Sequence, residues 1–262
     1  MWKHAVYTTV LKLVLLLTML PASAVVTIAV SESDSPPLLE FDPNSNEPVG
    51  GLIKEIGDLI TNQMGETVVY HVLSRKRLDP ALSRGEIDMV CYMTSSWTSI
   101  AVQMNWTEDI LPQTEVVLVN RNRAGKIRNL DDLIGLKVGL IHGFHYPQLT
   151  PLITVGKIKP VFEKDHRSNY KLLERNLVDA VVSTDLQAAH YFRELVPGTS
   201  NIIVSDLVIS VTPTQCAISK ASPIPIKRVM EAVQQLKAQG TFEKLINRYR
   251  SNVQTTSKTE KQ

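Results

Sequence analysis

The sequence predicts an α/β protein of two lobes, the second inserted into the first so that the chain crosses between them twice. Three observations carry this. Short β-branched runs alternate with segments whose apolar residues recur at helical spacing, the pattern of a parallel sheet with helices on its faces. The rhythm restarts after Trp106 as a second unit of the same kind. A further strand and two amphipathic helices then close the chain. With 262 residues the protein is long enough for one large or two small domains.

The amino terminus reads as a secretory signal peptide over residues 1–24. Lys3 and His4 make a basic start, Val10 to Leu20 is a short apolar run, and Ala22-Ser23-Ala24 is a small-residue cleavage site. The run is too short to span a bilayer comfortably, and no cysteine follows it to carry a lipid. The mature chain is expected to begin at Val25 or Val26, in an exported, disulfide-permissive space that the resemblance described below makes the periplasm. A formal charge of +2, with no basic block, gives no reason to expect nucleic acid as a partner.

The elements follow in order. Val25 to Val30 is a β-branched first strand. Leu52, Ile53, Ile56, Leu59 and Ile60 make one stripe of a helix over Leu52 to Gln63, which Gly65 ends. Thr67 to Leu73 is the second strand, Asp79 or Pro80 opens a short helix, and Ile87 to Cys91 is the third strand. Thr114 to Asn120 is another strand, and Asn129 to Ile134 is a single helical turn with Asp131 and Asp132 at its positive end. Leu136 to Ile141 is a strand that ends in a His-Gly-Phe-His-Tyr loop. After a strand over Lys159 to Phe162, Ser168 is a candidate cap for a helix through Leu177. Val178 to Val182 is a strand, and Thr184 or Asp185 caps the helix that follows. Asn201 to Val211 and Gln215 to Lys220 read as two strands, and Ile224 to Gln239 and Thr241 to Tyr249 as the last helices. The lobes are expected over 25–116, 117–211 and 212–250, with a polar, disordered tail over 251–262.

The stretch Gly85 to Trp97 draws attention first. It delivers Tyr92, Thr94, Ser95, Ser96 and Trp97 to the carboxyl end of a buried strand, the edge at which open α/β sheets bind ligands. Glu32 and Ser33 stand at the same edge after the first strand. Tyr92, Trp97 and Phe144 are the aromatic residues best placed to wall a cleft, ahead of Tyr146, while Trp106 reads as core. Arg75 and Arg77 follow the second strand, and His142 and His145 lie in the loop after Ile141. Two histidines three apart lack a third ligand of clear spacing, so no metal is expected. No cofactor is expected either. The two cysteines, Cys91 and Cys216, lie in apolar strand-like runs. An exported protein with an even count invites a disulfide, but buried free cysteine is as common, and spacing leaves both readings open.

Together these pieces resemble the periplasmic solute-binding proteins of ABC transporters, in particular the polar amino-acid binding family (family 3). The matching stretches are TIAVSESDSPPLLEF, GGLIKEIGDLI, ALSRGEIDMV, NLDDLIGLKVGLIHG, LLERNLVDAVVSTD and QGTFEKLINRYR, in order from Val26 to Tyr249. The resemblance implies a two-lobed, type II periplasmic binding fold that closes by a hinge around a ligand. It puts the crossings near Glu115–Leu118 and Ile209–Pro213. It also implies a small polar, amino-acid-like ligand, a monomer, and an ABC permease as the partner of the closed form.

The chain departs from the family at the ligand's carboxylate. Relatives usually carry Thr-Pro-Glu-Arg after the third strand, and that arginine grips the carboxylate with its planar fork. Here the run is Ser95-Ser96-Trp97-Thr98, and no arginine lies between Arg84 and Arg121. Gly143-Phe144 stands where relatives have glycine and a hydroxyl residue. The acid that receives the ligand's amino group has a counterpart in Asp185. Arg77, Arg75, His142 and His145 are then the candidates for the missing cation. The resemblance favours binding without catalysis. The competing readings are a dehydratase-like periplasmic enzyme on the same scaffold, in which His142, His145, Asp185 or Glu32 would move protons, and a sensing module uncoupled from transport.

Overall fold

The computed structural model of the protein describes residues 24–196 and 199–254, with the backbone alone for 251–254. The expected signal peptide, up to residue 23, and the tail beyond 254 lie outside the described residues. No described helix is long and apolar enough to cross a membrane.

The first lobe is built on β1 (Val25–Ser31), flanked on one side by β4 (Thr67–Leu73) and on the other by β5 (Met89–Met93), all parallel. A small hairpin of β2 (Glu40–Phe41) and β3 (Pro48–Gly50) sits between β1 and α1 (Leu52–Met64). Leu52, Ile53, Ile56, Ile60 and Met64 of α1 face the core, and Gly65 ends the helix in the left-handed conformation. Strand β5 is buried along its whole length, as expected of a strand covered on both faces.

Helix α2 (Arg75–Arg84) begins four residues before the expected start at Asp79. Pro80 lies inside it. The apolar stripe Leu78, Ala81 and Leu82 sets the buried face, and an Arg75–Asp79 pair at i, i+4 supports the turn ahead of the proline. This earlier start brings Arg75 onto a helix rather than a turn.

The second lobe contains β8 (Lys137–Ile141), β9 (Lys159–Glu163) and β10 (Ala180–Thr184), with β8 at the centre of the parallel trio. A short helix α3 (Thr150–Thr154) forms in the proline-rich segment. Helix α4 (His166–Glu174) starts at His166, because the Asp165 carboxylate accepts the Ser168 amide at 2.7 Å and takes the capping role expected of Ser168. Thr184 caps α5 (Asp185–Glu194) by accepting the Gln187 amide.

The lobes are joined by two long antiparallel strands, β7 (Leu111–Asn120) and β11 (Ile202–Ser219). Strand β11 is one continuous element where the sequence reads as two, because its amino half pairs with β7 and its carboxyl half with β5 and with β6 (Met104–Trp106). Pairing on both halves carries it through Pro213. Helices α6 (Ile226–Ala238) and α7 (Thr241–Gln254) close the first lobe, and α7 runs into the stretch expected as tail. Separate apolar cores follow, one around β1, α1 and α6 and another around β8 and β10. Cys91 and Cys216, on the adjacent strands β5 and β11, are joined as a disulfide.

Candidate functional site

A cavity lies between the lobes at the carboxyl ends of β1 and β5. Its wall takes Ser31, Asp34, Arg75, Tyr92 and Trp97 from the first lobe, Glu115 from β7, and Phe144, Tyr146, His166 and Gln187 from the second. Tyr92, Trp97 and Phe144 therefore meet around one space. Trp106 instead packs in the first lobe, with its indole donating to the Ala101 carbonyl at 3.0 Å.

Tyr92 has a φ of 59°, in the left-handed region that a bulky residue rarely adopts. The same strand carries the Cys91 half of the disulfide, which also borders the cavity. Local strain of this kind tends to collect at ligand sites, where the surrounding structure holds it in place.

Among the described residues of the cavity wall, Arg75 is the permanent cation. Its Nη1 reaches Asp79 Oδ1 at 3.2 Å and its Nη2 donates to the Trp97 carbonyl at 3.1 Å. Thr98 Oγ1 holds the other Asp79 oxygen at 2.7 Å. The guanidinium thus stands beside Trp97, although it comes from a different element. A guanidinium has five N–H donors, so further donors remain for a ligand. Arg77, on the same helix, is exposed and lies away from the cavity.

Asp34 and Glu115 are the acids of the wall. Burial pushes the Asp34 carboxyl up to about 7, against the pull of Arg75 and a backbone hydrogen bond from Ser31. Glu115 is 6% exposed and accepts from Ser210 Oγ at 2.7 Å, and burial raises its carboxyl above the usual range. This pair ties β7 to β11 where the chain crosses between lobes. Burial holds His166 neutral, down to about 4, with Asp165 opposing, and its Nδ1 is buried with no partner among the described residues.

The cleft is closed. Gln187 Nε2 on α5 donates to Ser35 Oγ of the first lobe at 2.9 Å. Gly143 of the second lobe comes against α2: a Cβ there would stand 3.2 Å from Lys76 Cγ and 3.4 Å from Arg75 Cβ. Glycine permits both that approach and its φ of +82°.

Several residues singled out from sequence lie elsewhere. Glu32 is exposed, since its amide bonds Leu73 and turns it away along the β1–β4 edge. Ser33 and Thr94 are buried in the turns behind the wall. His142 is exposed and sits edge-on to Phe162, whereas His145 lines the mouth. Asp185 is the first residue of α5, and its carboxylate folds back onto the Leu186 amide at 2.8 Å. Burial raises its carboxyl, and that amide and Arg250 of α7 pull it down. It stands at the cleft edge near Tyr92, outside the wall itself.

Sequence reading missed Asp34, Glu115, His166 and Gln187. Asp34 had a positional signal, being in the same polar loop as Glu32 and Ser33. Glu115 had a chemical one, as the lone acid of an apolar strand. Nothing local distinguishes His166 or Gln187.

The fold and cleft are those of a protein that binds a small ligand between two lobes. The chain matches the bacterial extracellular solute-binding proteins, family 3, over residues 26–252, and it belongs to that family. No curated protein sequence matches it. Among solved structures, an ancestral arginine-binding protein bound to arginine is similar with a TM-score of 0.72 at 20% identity, over 86% of this chain and 97% of that one. A histidine kinase sensor domain with similarity to periplasmic binding proteins has a TM-score of 0.73 at 20% identity, over 87% and 96%. An ancestral amino acid-binding protein, a precursor of cyclohexadienyl dehydratase, has a TM-score of 0.68 at 20% identity, over 86% and 94%. At these identities the likeness shows the fold, the type II periplasmic binding arrangement.

Proposed function

We propose that the protein is a periplasmic solute-binding protein that captures a small polar, amino-acid-like ligand between its lobes and delivers it, as a monomer, to an ABC importer. One observation carries the reading: the cavity wall draws on both lobes and on the crossing strand β7, and a direct Ser35–Gln187 hydrogen bond closes it. A site divided in this way is complete only when the lobes meet, so ligand binding and closure are one event.

Arg75 is the proposed carboxylate anchor in place of the arginine that the Ser-Ser-Trp-Thr run lacks. Tyr92, Trp97 and Phe144 stack on the ligand's body. The protein acts by binding, without turnover. The test is a thermal-shift and calorimetric screen of the purified mature chain against L-amino acids, polyamines, opines and small organic acids. The ligand raises the melting temperature, is recovered unchanged, and loses affinity in Arg75→Ala. A screen with no stabilising solute overturns the reading, and a ligand chemically altered on incubation overturns its non-catalytic part.

The histidine kinase sensor domain among the similar structures supports a second reading, in which the closed form signals rather than delivers. Reconstituted permease separates the two, since delivery requires that the liganded protein stimulate its ATPase.

A further inference from the structure

We infer that the Cys91–Cys216 disulfide is a positioning device for the cleft: it holds a β-bulge that turns Tyr92 into the cavity, so that only the oxidised chain presents the whole site. Its consequence for a ligand rests on the ligand-binding reading above, while the bulge itself rests on backbone geometry.

The ladder between β5 and β11 is interrupted at one place. Met93 pairs with Gln215 and Val90 with Ala217, so Cys91 and Tyr92 on β5 stand opposite Cys216 alone on β11. Two residues facing one make a β-bulge, which bends a strand and re-aims a side chain beside a site. Here the re-aimed residue is Tyr92. It is 6% exposed, has its φ of 59°, and lines the cavity together with Cys91. Where a bulge needs a left-handed residue, glycine ordinarily supplies it. A tyrosine keeps that conformation only where its surroundings impose it.

The hydrophobic pattern does not impose it. Strand β5 reads Met-Val-Cys-Tyr-Met and is buried throughout. With no alternation of buried and exposed positions, burial does not choose one register of β5 against β11 over the next. The backbone of Cys216 does not impose it either. Its amide donates to Thr107 Oγ1 at 2.9 Å and its carbonyl accepts from the Thr107 amide at 3.1 Å, on the β6 side of β11. At the bulge, the tie between the two strands is therefore the covalent link from Cys91 to Cys216. It pins the register to the residue, and the next residue along β5 is Tyr92. The chain then turns through Thr94, whose carbonyl accepts from the Trp97 amide, so a second aromatic of the wall follows from the same anchored strand.

A bridge that merely braced the fold would add stability and leave the cavity's side chains where they are. A positioning bridge acts on a ligand through Tyr92, so the effects of losing the bridge and losing the tyrosine overlap instead of adding.

Fluorine NMR of the mature protein labelled with 3-fluorotyrosine tests this, with the Tyr92 signal assigned from Tyr92→Phe. The variant combining Cys91→Ala and Cys216→Ala is held well below its melting temperature. Its Tyr92 signal should shift or broaden, while those of Tyr170 and Tyr191 in the second lobe stay put. If that variant does not fold, the oxidised wild type reduced in place by a phosphine takes its role, the bridge becoming two thiols and the phosphine its oxide. An unmoved Tyr92 signal overturns the inference. So does loss of all tyrosine signals together, which would make the bridge a general brace. Calorimetry with L-arginine, L-glutamine, L-glutamate and putrescine supplies the binding arm. A solute that binds the oxidised protein should lose about tenfold in affinity without the bridge, and as much in Tyr92→Ala. Combining the two changes should cost less than about twofold more. Additive losses overturn the inference. Silence from all four probes counts against the ligand-binding reading alone, and the fluorine spectra still decide the bulge.

Discussion

Gln187 Nε2 on the second lobe donates to Ser35 Oγ on the first at 2.9 Å, across the mouth of the cleft. The two residues are 152 positions apart. Gln187 is held for this role by Thr184, which accepts its amide at 3.1 Å and bonds its side-chain oxygen at 3.0 Å. Ser35→Ala removes the bond and leaves both apolar cores intact. Ligand affinity should fall about fivefold, the worth of one ordinary hydrogen bond, chiefly through faster release, while the melting temperature of the empty protein stays put. Stopped-flow dissociation checks this, and an unchanged release rate would show that the bond does not hold the closed state.

Arg75 should be far less replaceable than its neighbour Arg77. Arg75→Lys keeps the charge but loses the fork that serves Asp79, Trp97 and the ligand together. Affinity for a carboxylate-bearing ligand should fall by about 2 kcal/mol. Arg75→Ala should also lower the melting temperature, because Asp79 is then left with Thr98 alone. Arg77→Ala, at an exposed position, should change neither. Titration calorimetry of the three variants decides it, and equal losses at both arginines would contradict the assignment.

The empty protein should lose stability as the pH rises from 6.5 to 8. Asp34 sits at about 7 against an ordinary 3.8, so the folded state holds a proton that the unfolded chain gives up. Its contribution is complete below 3.8 and lost as pH rises through 7. His166 works the other way: lowered from 6.5 to about 4, it contributes above 6.5 and loses that contribution as pH falls through 4. Above 6.5 the Asp34 loss is therefore unopposed by His166. Melting temperatures across this range should fall in the wild type and fall less in Asp34→Asn. Parallel curves would place Asp34 in water.

The Cys91–Cys216 bridge spans 125 residues and joins the strand that carries Tyr92 to the strand that crosses between lobes. Closing so long a loop restricts the unfolded chain. Removing both cysteines as alanine should cost about 2–5 kcal/mol of stability. Chemical denaturation with and without reductant measures it. No difference would mean that the reduced chain retains the same constraint by other contacts.

Gly143→Ala should hold the lobes apart. The new methyl group would press on the Lys76 and Arg75 stems, at a backbone angle of +82° that disfavours any side chain. Weaker ligand binding and a larger solution radius by X-ray scattering are expected, and retention of the closed radius would refute the close-approach role.

The order of strands and helices, the two α/β units and the sheet edge where a site would form were legible before any folding was considered. Those features depend on local patterns: β-branched runs such as Val25 to Val30, the apolar stripe of Leu52 to Ile60, and turn residues such as Gly65. Even there, a competing cap moved the start of α4 to His166, and an ion pair moved the start of α2 to Arg75. Which polar groups share the cleft was set by packing between distant parts of the chain. Arg75 reaches Trp97 from 22 residues away, Ser210 reaches Glu115 from 95, and Gln187 reaches Ser35 from 152. A strand's periodicity says which face a residue is on, but not which distant loop will close over it. Asp185, the acid expected in the site, bonds its own helix, while Asp34 and Glu115 become the cavity's acids. That exchange depends on how two lobes with separate apolar cores meet, a long-range packing relationship that no local stretch of sequence encodes.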